Sequence, residues 1–129
     1  MFSDPAGPIE HFSWGRFVIC GKEHSSQETK LGVGKDIRLI QEDVTEWKER
    51  KGHLLTLEMI TGVWEQKIEI LVIGNGVNGA LECPASVIQG IQVRESIQVV
   101  IAKTPEACEI YNRLYKLGKR VALLAHGTC

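Results

Sequence analysis

The chain has almost no excess of charge of either sign. Fifteen lysines and arginines face sixteen aspartates and glutamates, a formal net charge of -1 over 129 residues. Nucleic-acid binding usually rests on a strong positive field, and nothing here builds one. Long apolar runs are missing too: no stretch approaches the roughly twenty residues that span a bilayer. The four cysteines, Cys20, Cys83, Cys108 and Cys129, are widely scattered and form no C-x-x-C pair. Cys20 and Cys108 lie in apolar runs, where a thiol serves as a small core residue. Free thiols in a reducing compartment are therefore expected. Met1 to Glu10 carries prolines and acidic residues and no apolar h-region, so no signal peptide is read there. The expectation is a cytoplasmic protein. No internal repeat or low-complexity tract is visible.

What is present fits one domain. A chain of this length buries roughly two-thirds of its unfolded surface, enough for a core without disulfides or a structural metal. Residues 1–10 read as a loose lead-in to a single domain over 1–129. Phe12 to His24 holds two short β runs broken at Gly15 and Gly21, a hairpin signal. Ser25 to Lys35 is polar, contains Gly32 and Gly34, and reads as a turn or mobile loop. Asp36 to Lys48 alternates in part, as one or two further strands do. Leu57, Ile60, Val63 and Trp64 match a helical stripe, so a helix is predicted over Leu57–Lys67, weakened by Gly62.

The C-terminal half is the clearest. Ile68–Ile73, Ile97–Ala102 and Val121–Ala125 are apolar runs suited to strands buried on both faces. A helix is predicted from near Pro84. A second is predicted with Thr104 as its cap, Pro105 at its first position and Gly118 as its terminator. Strand, helix, strand, helix, strand with short loops makes a parallel sheet with right-handed crossovers. Joined to the N-terminal β portion, this is an α/β fold with a mixed sheet.

Such a fold brings three loops to one edge of the sheet. They are Gly74-Asn75-Gly76-Val77-Asn78-Gly79, then Lys103-Thr104-Pro105-Glu106, then His126-Gly127-Thr128-Cys129. Ligands gather at the carboxyl ends of parallel strands. The first loop fits G-x-G-x-x-G, but a dinucleotide site needs the helix to open within that turn. Pro84 would fall inside such a helix, and the second strand ends without an acidic residue for a ribose. The loop is read instead as glycines supplying positive φ or close approach. The candidate ligand-binding set at this edge is Gly74, Asn75, Gly76, Lys103, Thr104, His126 and Cys129. Arg50 and His53 join it if their basic segment folds back to reach a carboxylate or phosphate. His126 and Cys129 also carry the types of a base and a nucleophile, and with His53 those of a metal trio. No ligand spacing in the sequence supports the trio, and no catalytic constellation is complete, so neither a metal nor a cofactor is assigned.

The run Leu71-Val72-Ile73-Gly74-x-Gly76, with Ala80-Leu81 and Pro84, is distinctive. So are Ala107, Tyr111-Asn112-x-Leu114, Gly118, Arg120-Val121 and His126-x-Thr128-Cys129. Together these resemble a family of small α/β domains that includes the animal adipogenesis-associated domain protein and a mitochondrial assembly factor for respiratory complex I. The likeness covers Ile68–Cys129 strongly and Phe12–His53 more loosely. It implies a three-layer α/β domain with a mixed central sheet and an added β-hairpin. It also implies a protein without established activity, and in the mitochondrial branch a role in assembly. The expected function is thus non-catalytic, through protein contacts. The alternative is a small-ligand or anion site, or an enzyme, at the carboxyl edge of the sheet.

Overall fold

The computed structural model describes residues 1–26, 28–29 and 31–129. The expected turn over Ser25–Lys35 therefore lies partly outside the described residues. Among the described residues, nine strands and two α-helices follow one another. They are β1 (Phe2–Ser3), β2 (Ile9–Ser13), β3 (Arg16–Ile19), β4 (Lys22–Ser25), β5 (Ile37–Ile40), β6 (Asp43–Glu46), β7 (Ile70–Asn75), α1 (Ala85–Glu95), β8 (Gln98–Ala102), α2 (Thr104–Lys116) and β9 (Val121–His126). The first four form an antiparallel meander in the order β1-β2-β3-β4, and the other five a sheet in the order β6-β5-β9-β7-β8. In the larger sheet β7 runs parallel to both β8 and β9, while β5 pairs antiparallel with β9 and with β6.

Strand β9 shows why this sheet is central. All six of its residues are buried, and their alternation divides the core. Val121, Leu123 and Ala125 join a cluster with Ile9, Phe12, Phe17, Ile19, Ala107, Cys108 and Tyr111. Ala122 and Leu124 face the other way, towards Trp47, Leu55, Ile60, Val63, Val87 and Ile91. A strand's period of two sends neighbouring side chains to opposite faces, so one apolar run supplies both cores. The result is three layers: α2 with the meander, the mixed sheet, and α1 with the 47–68 segment.

Several expectations change in detail. The lead-in is not loose. Phe2–Ser3 pairs with β2, and Ile9 is fully buried. The side chain of buried Asn112 on α2 holds it, accepting from Ile9 N at 3.0 Å and donating to Ile9 O at 2.8 Å and Asp4 Oδ2 at 3.0 Å. An amide side chain thus does for Ile9 what a neighbouring strand would do. The hairpin over Phe12–His24 is part of a four-stranded meander. The helix expected over Leu57–Lys67 is only a 3-10 turn at Leu57–Met59. Gly62, Glu65 and Lys67 all take positive φ, which breaks a helix. Half of its apolar stripe is buried all the same: Ile60 and Val63 reach the core, half-buried Trp64 donates from Nε1 to Ile60 O at 2.9 Å, and Leu57 is exposed. Periodicity reported burial in part and backbone incorrectly. Pro84 is the N-cap of α1 rather than its first residue, and Lys103 takes that place for α2 without a side-chain cap bond.

The sheet order also revises one strand. Val72 sits in β7 between two neighbours and is fully buried, whereas Val100 is on the edge strand β8 and half-buried. Val72→Asp should therefore cost several kcal/mol, as an unpaired buried charge does. Val100→Asp should cost clearly less, because its carboxylate can turn to solvent. Denaturant unfolding of the two variants, compared at equal slope, checks this ranking.

Candidate functional site

The edge where β5 begins and β9 ends is organised by Asp36, the residue just before β5. It is 8 % exposed, and its carboxylate collects three donors. His126 Nδ1 lies 2.9 Å from Oδ1, Gly127 N donates to the same oxygen at 3.0 Å, and Arg50 Nε donates to Oδ2 at 2.8 Å. Its own main-chain oxygen accepts from Trp47 N at 3.0 Å. Burial pushes the carboxyl pKa up. The bonds from His126, Gly127 and Arg50 outweigh that and hold it below its ordinary value of 3.8.

Asp36 also fixes the imidazole. A carboxylate only accepts, so Nδ1 of His126 carries the proton that is shared with Asp36, and Nε2 faces the other way. That nitrogen lies 3.7 Å from Cys129 Sγ, and the same sulfur lies 3.3 Å from His53 Nε2. The three donor atoms all fall within 4.8 Å of one another. His126 is buried, Cys129 half-buried and His53 exposed. His53 is brought there by main-chain pairing: its oxygen accepts from Glu82 N at 2.8 Å, and Leu54 bridges to Glu82.

The glycine-rich loop is laced to the segment after β9. Val77 N donates to Thr128 O at 2.7 Å, and Asn78 N and Ala80 N each donate to Cys129 O at 3.1 Å. Fully buried Thr104 closes the lattice from α2, its hydroxyl donating to His126 O at 2.7 Å and accepting from Gly76 N at 2.9 Å. Close approach makes the glycines obligatory. A Cβ on Gly76 (φ +105) would sit 2.4 Å from Cys129 C, and one on Gly74 would sit 2.9 Å from Thr104 Oγ1. Gly127 is tighter still, with Lys35 O only 2.0 Å from an added Cβ. Asn75 pairs in register with His126, so the two side chains share a face, and its Oδ1 is buried with no hydrogen-bond partner among the described residues.

Of the residues singled out in the sequence, His126, Cys129 and His53 converge, and Arg50 reaches them through Asp36. Gly74, Gly76 and Thr104 hold the edge together from within. Lys103 is exposed and lies along Gly79, with Cε 3.6 Å from where a Cβ there would stand. The N–H groups of Gly76, Val77, Asn78 and Ala80 already have partners, so they form no anion cradle. Asp36 went unread. A single acidic residue at the head of an apolar strand carries no motif, and only the fold shows that it faces a histidine ninety positions away.

These features define a mixed α/β domain with a thiol–imidazole cluster at the carboxyl edge of its sheet. Residues 9–126 match the family described as protein of unknown function (DUF498/DUF598), and the chain belongs to that family. Solved structures repeat the fold. A conserved hypothetical protein from Pyrococcus horikoshii OT3 is 22 % identical, with a TM-score of 0.75 over 94 % of this chain and 98 % of its own. A protein named MT938 is 26 % identical, with a TM-score of 0.71 over 94 % and 97 %. A protein described as an outer membrane protein from Bartonella henselae is 24 % identical, with a TM-score of 0.73 over 95 % of each chain. In this chain no described helix is long and apolar enough to cross a membrane.

Asp36 makes the edge sensitive to acid. Its folded-state pKa is depressed, so its stabilisation is complete above the unfolded value near 4 and disappears as pH falls through the folded value. Asp36→Ala, which strands a buried imidazole and guanidinium, should cost about 3–5 kcal/mol at neutral pH. The variant should also show a flatter loss of stability on acidification than the wild type. Unfolding midpoints followed from neutral to acid pH measure both. Thr104→Val, which leaves a buried carbonyl and N–H unpaired, should cost about 1–3 kcal/mol in the same assay.

Proposed function

We propose that this protein is a non-catalytic module that works through protein contacts, in an assembly or regulatory role, and that strand β8 makes the contact. One observation carries the reading: the two edges of the central sheet are unlike. The β6 edge is Asp43-Val44-Thr45-Glu46, with exposed acidic residues at both ends. Charge of this kind blocks pairing with another chain. The β8 edge is Gln98-Val99-Val100-Ile101-Ala102, without charge, proline or break, and no described strand lies beyond it. An open, uncharged, β-branched edge suits a partner that adds an extended segment to the sheet. The resemblance to a family with a complex I assembly factor among its members supports the same role.

A photo-crosslinker in place of exposed Gln98 tests this in cells. The expected product is an adduct with one other protein, mapped to an extended segment, and lost when Val100→Lys charges the edge. Adducts that survive Val100→Lys, or that never form, count against the reading, provided the variant unfolds at a near wild-type midpoint.

A second reading, a small-ligand site at the carboxyl edge, is favoured by the convergence of Cys129, His53 and His126. A thermal-shift screen addresses it, since a ligand at one hundred times its dissociation constant adds about 2.7 kcal/mol.

A further inference from the structure

The geometry points to a metal site: we propose that His53 Nε2, His126 Nε2 and Cys129 Sγ bind one zinc-class divalent cation, with the fourth position open. The inference rests on the second reading above and names its ligand. No spacing in the sequence shows this trio, because its members come from the 47–68 segment, the end of β9 and the segment after it.

The distances fit. Zinc bonds of about 2.05 Å to nitrogen and 2.3 Å to sulfur place tetrahedral donors about 3.6 Å apart for N···S and about 3.3 Å for N···N. The two N···S separations are 3.3 and 3.7 Å, and no pair exceeds 4.8 Å. The wider N···N gap falls to His53, the exposed member, to close. Its ring centroid is 6.1 Å from that of His126.

The surroundings are those of a metal ligand. A liganding histidine gives its second ring N–H to a carboxylate, which fixes the tautomer and turns the other nitrogen towards the metal. Asp36 does this for His126, and Arg50 and Gly127 N fix Asp36 in turn. Three soft or borderline donors select zinc and its neighbours over magnesium or calcium, which prefer oxygen. The buried Oδ1 of Asn75 adds an unpartnered acceptor on the same face of the sheet as His126.

A thiol beside an imidazole held by a carboxylate also has the parts of a cysteine nucleophile. Two features favour the metal. A general base needs one imidazole, and here two flank one sulfur. Acyl transfer also needs free N–H donors near that sulfur, and the nearby loop donates its N–H groups to the oxygens of Thr128 and Cys129. On binding, the Cys129 S–H bond breaks, the sulfur's electron pair goes to the metal, and the proton leaves to solvent. Affinity therefore rises with pH.

The test is titration of tag-free, reduced, metal-free protein with zinc chloride by calorimetry, and with cobalt(II) by absorption as a probe for the thiolate. One equivalent of zinc should bind with proton release, and cobalt should give a thiolate-to-metal charge-transfer band. Cys129→Ser should abolish that band, and His53→Gln, at an exposed position, should weaken zinc binding strongly while leaving the fold intact. Asp36→Asn should weaken it about 10–100-fold through His126. Cys83→Ser should change nothing. Absence of stoichiometric binding, a cobalt complex without the thiolate band, or unchanged affinity in His53→Gln overturns the proposal. If zinc fails while phosphates, nucleotides or carboxylates shift the melting temperature through His53 and Cys129, the metal falls and the small-ligand reading stands. If nothing shifts it, both fall.

Discussion

The buried carboxylate of Asp36 is the interaction on which the functional edge depends. Three donors from two parts of the chain meet on it: the imidazole of His126 and the N–H of the next residue, Gly127, at the end of β9, and the guanidinium of Arg50. A carboxylate that is 8 % exposed is unfavourable by itself and becomes tolerable only because every donor is in place. The arrangement is therefore cooperative. Arg50 meets that charge from the 47–53 segment, and main-chain pairing with Glu82 sets His53 beside it. Of the basic residues in that segment, Arg50 serves an internal carboxylate before any external anion.

A second set of constraints is steric. Gly74, Gly76 and Gly127 stand where another backbone or side chain passes within contact distance. The loop after β7 looks like a phosphate-binding turn in sequence, yet its N–H groups point at the segment after β9. The same donors would face a ligand in a dinucleotide fold. Here they hold Thr128 and Cys129 in place, which positions a sulfur between two imidazoles. One loop chemistry thus serves an internal purpose, and the open surface of the edge is left to the cluster.

Much of this fold was legible because the strongest signals are local. The β-branched runs gave β7, β8 and β9 to within two residues. Thr104, Pro105 and Gly118 bounded α2, and Pro84 placed α1. Where the sequence misled, a tertiary contact overrode a pattern. Gly62 adopts positive φ where Arg38 leaves no room for a Cβ, so a helical stripe became an irregular segment in which Ile60 and Val63 are still buried. Ile9 is ordered by Asn112, more than one hundred positions away, which no local pattern in residues 1–10 records. Strand order was equally hidden: the run 97–102 is as apolar as the run 68–73, yet only the pairing shows that it lies at an edge. For the site, residue types named His126, Cys129, His53 and Arg50, whereas Asp36 needed the antiparallel pairing of β5 with β9 to appear.

The position of β9 has a consequence for how the chain reaches this state. It follows the other four described strands of its sheet in the sequence yet lies third of five in space, parallel to β7 on one side and antiparallel to β5 on the other. Until it inserts, the β5–β6 hairpin and the β7–β8 unit share no hydrogen-bonded border. Synthesis therefore makes the keystone after the four strands it must join. Both halves then present apolar edges during that interval, and long-range pairing of this kind is slow.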